Sequence, residues 1–263
     1  MLLEVRNLMK IFTVGLFKRR EIVAVDDASF DVEPAEFVSL VGESGSGKTT
    51  TARMILRLLQ PTSGQVICEG RDVFGLKGIE ESKSYYRTVH GIFQDPYAAY
   101  NPLHKIDRVL NQVFELTGHS GAERDGLVKE ALKEVGLRHE DVLGKYPHEL
   151  SGGQRQRIMV ARCYMLKPKL ILADEPISMI DASTKASILR LFSKLRDEHG
   201  TAVIFITHDL GLAYYVSDEV LIMSQGSIVE KGSPDDIMNH PQHTYTRKLR
   251  EDIPLFYRKW PGF

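Results

Sequence analysis

The segment Gly42-Glu-Ser-Gly-Ser-Gly-Lys48-Thr49 constrains this chain more than any other, because a glycine-rich loop closed by Lys-Thr belongs where a strand hands over to a helix. Both flanks meet that condition. Phe37 to Val41 is a short, β-rich apolar run, and Thr50 to Leu59 sets Met54, Ile55, Leu58 and Leu59 at helical spacing before Pro61 stops it. The glycines permit dihedrals that turn successive N–H groups toward one phosphate chain, and the helix adds the positive end of its dipole. Gly42, Ser44, Gly45, Ser46, Gly47 and Thr50 would then surround the phosphates. Lys48 would neutralise the β and γ groups, and the Thr49 hydroxyl would ligate Mg²⁺. The competing interpretation is a plain βα turn.

Strand-like and helix-like segments alternate along the rest of the chain, which predicts a mostly parallel sheet with helices on both faces. Leu170 to Ala173 and Ala202 to Ile206 read as further buried strands, and about 182–199 as a long helix ended by Gly200. The first 35 residues instead show short β-rich pieces, Ile22 to Val25 and Phe30 to Val32, expected to be antiparallel strands beside the main sheet. Between Asn101 and Lys167 the apolar spacing of Val109, Val113 and Leu116, then Leu127, Ala131 and Val135, predicts helices. Gln225-Gly226-Ser227 reads as a hairpin turn. The expected organisation is one α/β phosphate-loop domain: 1–100 and 167–232 form a nucleotide-binding core with an antiparallel β subdomain. Residues 101–166 form a helical subdomain and 233–263 a C-terminal extension.

Basic and acidic residues nearly cancel, 34 against 35, so a nucleic-acid partner has no electrostatic support. Cys68 and Cys163 form no C-x-x-C pair, which excludes a disulfide framework or zinc ribbon and fits a reduced, cytoplasmic setting with inert core thiols. Glu4 precedes any signal-peptide apolar core, and no apolar run approaches the ~18 residues of a spanning helix. A membrane role is expected to come through a partner. Lys18-Arg19-Arg20 reads as a solvated hairpin tip rather than a lipid contact.

A phosphate loop does not name a reaction. Asp174 and Glu175 end an apolar strand, and successive strand residues point to opposite sides, so the two acids can divide their work: Asp174 holds the Mg²⁺ shell and Glu175 polarises a water. Solvated turn acids are the plain alternative. Ser151, Gly152 and Gly153 stand before a helix expected over about 154–166 and offer a second anion-binding helix end, or else a cap and a turn.

Leu150-Ser151-Gly152-Gly153-Gln154, followed by Arg155-Gln156-Arg157, resembles the signature of the ATP-binding cassette (ABC) family. The resemblance covers nearly the whole chain in order: Phe12, the phosphate loop, Gln94, the signature, Asp174-Glu175, Asp181 and His208. It implies adenine stacking on Phe12, a glutamine loop at Gln94 that joins Thr49 and Asp174 on the metal, and a γ-phosphate contact from His208. It also implies that Ser151 to Gln154 close on the ATP of a second subunit, with Asp181 in the dimer contact. Ser178-Met-Ile-Asp181 and Ile177 depart from the family's usual residues there.

Gln94-Asp-Pro-Tyr-Ala-Ala-Tyr-Asn-Pro102 and His240-Pro-Gln-His243-Thr-Tyr245-Thr246 resemble the oligopeptide and dipeptide importers of that family, with Thr244 in place of a second proline. A metal site at the two histidines lacks a completing cluster. The resemblance implies a Mg²⁺-dependent ATPase on the cytoplasmic face of the cell membrane. Its implied partners are a second ATPase subunit, identical or a sibling, two transmembrane permease subunits and, indirectly, an extracytoplasmic solute-binding protein. Oligosaccharide or metal-chelate import, a soluble ABC ATPase and a small-molecule kinase are the rival readings.

Overall fold

The structure is a computed structural model that describes residues 1–15, 19–94, 100–119, 121–178, 180 and 182–253. In chain order the first elements are β1 (Leu3–Val14), β2 (Arg20–Val32), β3 (Phe37–Val41), α1 (Lys48–Ile55), β4 (Ser63–Cys68) and β5 (Arg71–Asp72). They are followed by α2 (Gly78–Thr88), β6 (Val89–Ile92), α3 (Ile106–Asn111), α4 (Val113–Thr117), α5 (Ala122–Glu134), α6 (Gly152–Leu166), β7 (Leu170–Asp174) and α7 (Ala182–His199). The last are β8 (Ala202–Thr207), α8 (Leu210–Val216), β9 (Glu219–Ser224), β10 (Ser227–Gly232), α9 (Pro234–Asn239) and α10 (Thr244–Glu251). The chain divides into two compact units, one formed by Met1–Gly75 with Ile204–Phe263 and the other by Leu76–Val203.

The first unit holds an antiparallel sheet in the order β2-β1-β4-β5. The short pieces expected at Ile22 and Phe30 belong to the single strand β2, whose first half leaves Ile22 and Val23 exposed. Apolar content alone located only its ends, because a strand in an antiparallel sheet can bury one face and wet the other. The same unit carries strands in the order β10-β9-β3-β8, with β3 parallel to β9 and β9 antiparallel to β10. Every residue of β3 is buried, in keeping with its continuous apolar sequence. Gln225 and Gly226 both have positive φ, 49° and 92°, and close the β9–β10 hairpin at the expected place.

Helix α1 begins at Lys48, inside the loop motif, and ends at Ile55, short of the expected Leu59. Arg57 has φ 56°, which no helix accepts, and Leu58 is 59 % exposed, so its match to the helical period was fortuitous.

The second unit pairs β6 with β7 in parallel and surrounds them with helices. The region between Asn101 and Lys167 is helical as expected, with Val109, Val113, Ala131 and Val135 buried. Helix α7 runs over the expected Ala182–His199, buries Ile188, Phe192 and Leu195, and stops at Gly200 with φ 67°. Helix α6 starts at Gly152, so the two signature glycines form its first turn instead of preceding it. Among the described residues no helix is long and apolar enough to cross a membrane.

Candidate functional site

In the first unit, β3 delivers the chain into the loop of Gly42 to Thr49. The walls are tight. A Cβ on Gly42 would lie 2.2 Å from the Met223 carbonyl oxygen, and one on Gly47 would lie 2.4 Å from that of Ala24. Gly47, at φ 108°, stands at the N-cap of α1, and no side chain caps that helix. The helix thus offers its first amides and its positive end to an anion rather than to its own side chains. Lys48 is 5 % exposed. Its Nζ donates to Gly42 O and Glu43 O, each at 2.7 Å, and to Ser46 Oγ at 3.3 Å, which holds the ammonium at the loop. Ser44, Gly45 and Thr49 are exposed, Ser46 is buried, and Thr50 is half-buried.

His208 directly follows β8 and is exposed. Asp209 N donates to Thr207 Oγ1 at 3.0 Å, and the Asp209 carboxylate caps α8 through Leu212 N, also at 3.0 Å. These bonds fix the backbone on both sides of the histidine. Phe12 lies near the end of β1, paired with Ile22 and half-buried instead of in the core. The Lys10 ammonium sits 5.2 Å from its ring centroid.

In the second unit, β7 ends at Asp174, 4 % exposed, and Glu175 follows half-buried. Glu175 has φ 45°, a conformation uncommon for a residue with a side chain and one that collects at functional sites. Ser178 holds it there: its amide and hydroxyl both donate to Glu175 O, at 3.2 and 3.0 Å. The Gln94 side-chain amide donates to Glu175 Oε2 at 3.1 Å, so two residues far apart in sequence share one place. Asp181, the whole segment between Gln94 and Tyr100, Lys18, and the aromatic tail at Phe256, Tyr257 and Trp260 lie outside the described residues.

The signature heads α6 through a reciprocal cap: Ser151 Oγ accepts from Gln154 N at 3.2 Å, and Gln154 Oε1 accepts from Ser151 N at 2.9 Å. Ser151, Gly152, Gly153 and Gln154 line a cavity of about 520 Å³ together with Arg157 and Thr184. A Cβ on Gly153 would come within 3.0 Å of the Thr184 methyl.

Sequence reasoning did not single out Arg155 as structural, yet it is 2 % exposed. Its guanidinium donates to Pro147 O and Leu150 O, both at 2.7 Å, and so braces the residues that lead into Ser151. Tyr100 donates its hydroxyl to Arg155 O at 2.7 Å. Neither residue follows an apolar period, so only their place beside two recognised motifs could have marked them.

The ABC transporter family model matches residues 25–178. The chain is 38% identical to the oligopeptide transport ATP-binding protein AppF of Bacillus subtilis, over 97% of this chain and 78% of that protein. It is 41% identical to the oligopeptide transport ATP-binding protein OppF of the same organism, over 97% of this chain and 83% of that one. With the dipeptide transport ATP-binding protein DppF of Lactococcus lactis it shares 41% identity over 95% of this chain and 80% of that protein. Among solved structures it resembles a dimeric post-hydrolysis state of the ATP-binding cassette MJ0796 bound to ADP and Pi, with TM-score 0.79 and 29% identity, covering 88% of this chain and 98% of that one. A glycine loop closed on a buried lysine, paired acids at a strand end and a capped signature helix, matched in sequence and in fold, make this chain a member of the ABC transporter family, an ATP-binding and ATP-hydrolysing cassette.

Proposed function

We propose that this cassette powers the import of oligopeptides or dipeptides, bound at the cytoplasmic face of a membrane complex to two permease subunits and paired with a second ATPase subunit. The observation that carries the reading is similarity, over nearly all of this chain, to relatives named for oligopeptide and dipeptide transport. The importer-like strings after Gln94 and at His240 add to it.

The roles follow residue by residue. The amides of Gly42 to Thr50 and the Lys48 ammonium bind the phosphates, and the Phe12 ring stacks on adenine. Thr49, Gln94 and Asp174 hold Mg²⁺; a hydroxyl, an amide and a carboxylate are the hard oxygen donors that this cation takes. Bound there, Mg²⁺ supplies charge neutralisation at the β and γ phosphates. Glu175 accepts a proton from the attacking water, and His208 orients the γ-phosphate. Ser151 to Gln154 close on the partner's ATP, and Asp181 belongs to the dimer contact. Residues 101–166 act as the helical subdomain that docks on the permease.

Reconstitution with the co-purifying membrane proteins tests the reading through peptide-stimulated release of inorganic phosphate. Stimulation by oligosaccharides or metal chelates would move the cargo to another solute. Transfer of phosphate to an acceptor would make the chain a kinase.

A further inference from the structure

The string His240-Pro-Gln-His243-Thr-Tyr245-Thr246 has no part in the roles above, and it builds the start of α10. Glu230 on β10 accepts the Gln242 amide at 2.7 Å and the His243 amide at 3.0 Å, and His243 Nδ1 accepts the Tyr245 amide at 3.2 Å. Burial alone would raise the Glu230 carboxyl, yet hydrogen bonds led by that of the Gln242 amide, with Thr246 and the His243 amide behind it, hold the group below its ordinary range. Further along the helix, Leu249 joins a buried cluster with Val41, Leu210 and Ile222, and the Tyr245 ring packs against that cluster. Val41 is the last residue of β3. Helix α10 is therefore anchored where the phosphate loop begins.

From that anchor, the Tyr245 hydroxyl accepts the Glu43 amide at 2.7 Å. This amide and the Gly42 carbonyl belong to one peptide unit, and the carbonyl accepts from Lys48 Nζ at 2.7 Å. A cation on the carbonyl and an oxygen on the amide polarise the peptide in the same sense, so each bond strengthens the other.

We propose that Tyr245 is a positioning residue of the phosphate loop, its hydroxyl fixing the 42–43 peptide in the orientation from which Lys48 meets ATP, so that docking of α10 and nucleotide affinity are coupled. Coupling of this kind is reciprocal: bound ATP holds α10 as firmly as docked α10 holds ATP. The inference rests on the reading that Gly42 to Thr49 bind the phosphates.

Tyr245→Phe removes the hydroxyl and keeps the ring in place. Titration with a fluorescent ATP analogue should give a dissociation constant raised about fivefold, the scale of one lost hydrogen bond, with kcat within about twofold of wild type. Thermal midpoint should barely move, and hydrogen exchange at the Glu43 amide should quicken while β3 stays protected. Glu230→Gln, which loosens the start of α10 from a distance, should weaken ATP binding in the same direction. Lys248→Ala should leave affinity unchanged, because its contact with the Glu43 carboxylate, at 3.7 Å, joins two exposed groups. Wild-type affinity in folded Tyr245→Phe, or a lowered midpoint with unchanged affinity, would overturn the positioning role. A wild-type protein that binds no ATP would instead overturn the reading of the loop.

Discussion

The Gln94 amide donates to Glu175 Oε2 at 3.1 Å, while Ser178 pins the backbone oxygen of the same glutamate. The carboxylate is thus aimed by one residue and its backbone turned by another. Glu175→Gln keeps an acceptor for Gln94 and removes the carboxylate proposed as the base, so phosphate release should fall at least ~100-fold with ATP binding intact. Light scattering in ATP and Mg²⁺ should then show accumulated dimer, alone or with a sibling subunit. Near-normal phosphate release would refute the assignment.

Phe12 sits half-exposed on β1 with the Lys10 ammonium over its ring. Phe12→Ala therefore costs the core little and should raise the KM for ATP about fivefold, worth roughly 1 kcal/mol of lost stacking. An unchanged KM in the folded variant would assign the ring to packing alone.

Tyr100→Phe should lower unfolding stability by about 1 kcal/mol, because the buried Arg155 carbonyl loses its hydroxyl partner. Urea denaturation measures this. The midpoint should drop with the slope unchanged.

His90 on β6 gives the chain an acid-side weakness. Burial, reinforced by the charge of Arg162, lowers its imidazole from the ordinary 6.5 to about 3. Between those values the unfolded chain binds the extra proton, so stability is complete above pH 6.5 and declines as pH falls toward 3. One such proton contributes at most about 1.4 kcal/mol per pH unit. In His90→Leu the urea midpoint should vary less with pH across that range, and an unaltered dependence would place the acid sensitivity elsewhere.

Burial pushes the Cys163 thiol up to about 12, and Cys68 is buried as well. Iodoacetamide at mildly alkaline pH should leave both unmodified in the native protein and alkylate both in denaturant. Mass spectrometry reads the difference.

What the sequence made legible is the set of features with a local cause. The Gly42–Thr49 loop, the β9–β10 turn, the buried strands β3, β7 and β8, and helix α7 each follow from dihedral requirements or from an uninterrupted apolar pattern. Helix α2 and the strands β4 and β6 gave no such signal, since their residues are mostly polar or too few to set a period. The site divides in the same way. Lys48, Asp174, Glu175 and Ser151 carry their chemistry in their motifs, whereas the bonds of Arg155, Ser178 and Tyr245, although these residues also stand in recognised strings, exist only once the chain has folded.

The close walls around Gly42 and Gly47 bear on how the loop can vary. Met223 O and Ala24 O stand where a methyl group would have to go, and neither oxygen belongs to the loop or to a ligand. An alanine at either position would displace neighbouring backbone before any nucleotide arrived, so a lost activity there would report a broken scaffold. Gly45 differs: it has nothing within 4 Å of an added Cβ, only a φ of +82° that a side chain resists. An alanine at Gly45 would meet no protein atom, so lost ATP binding there would report the dihedral and the bound anion rather than a displaced wall.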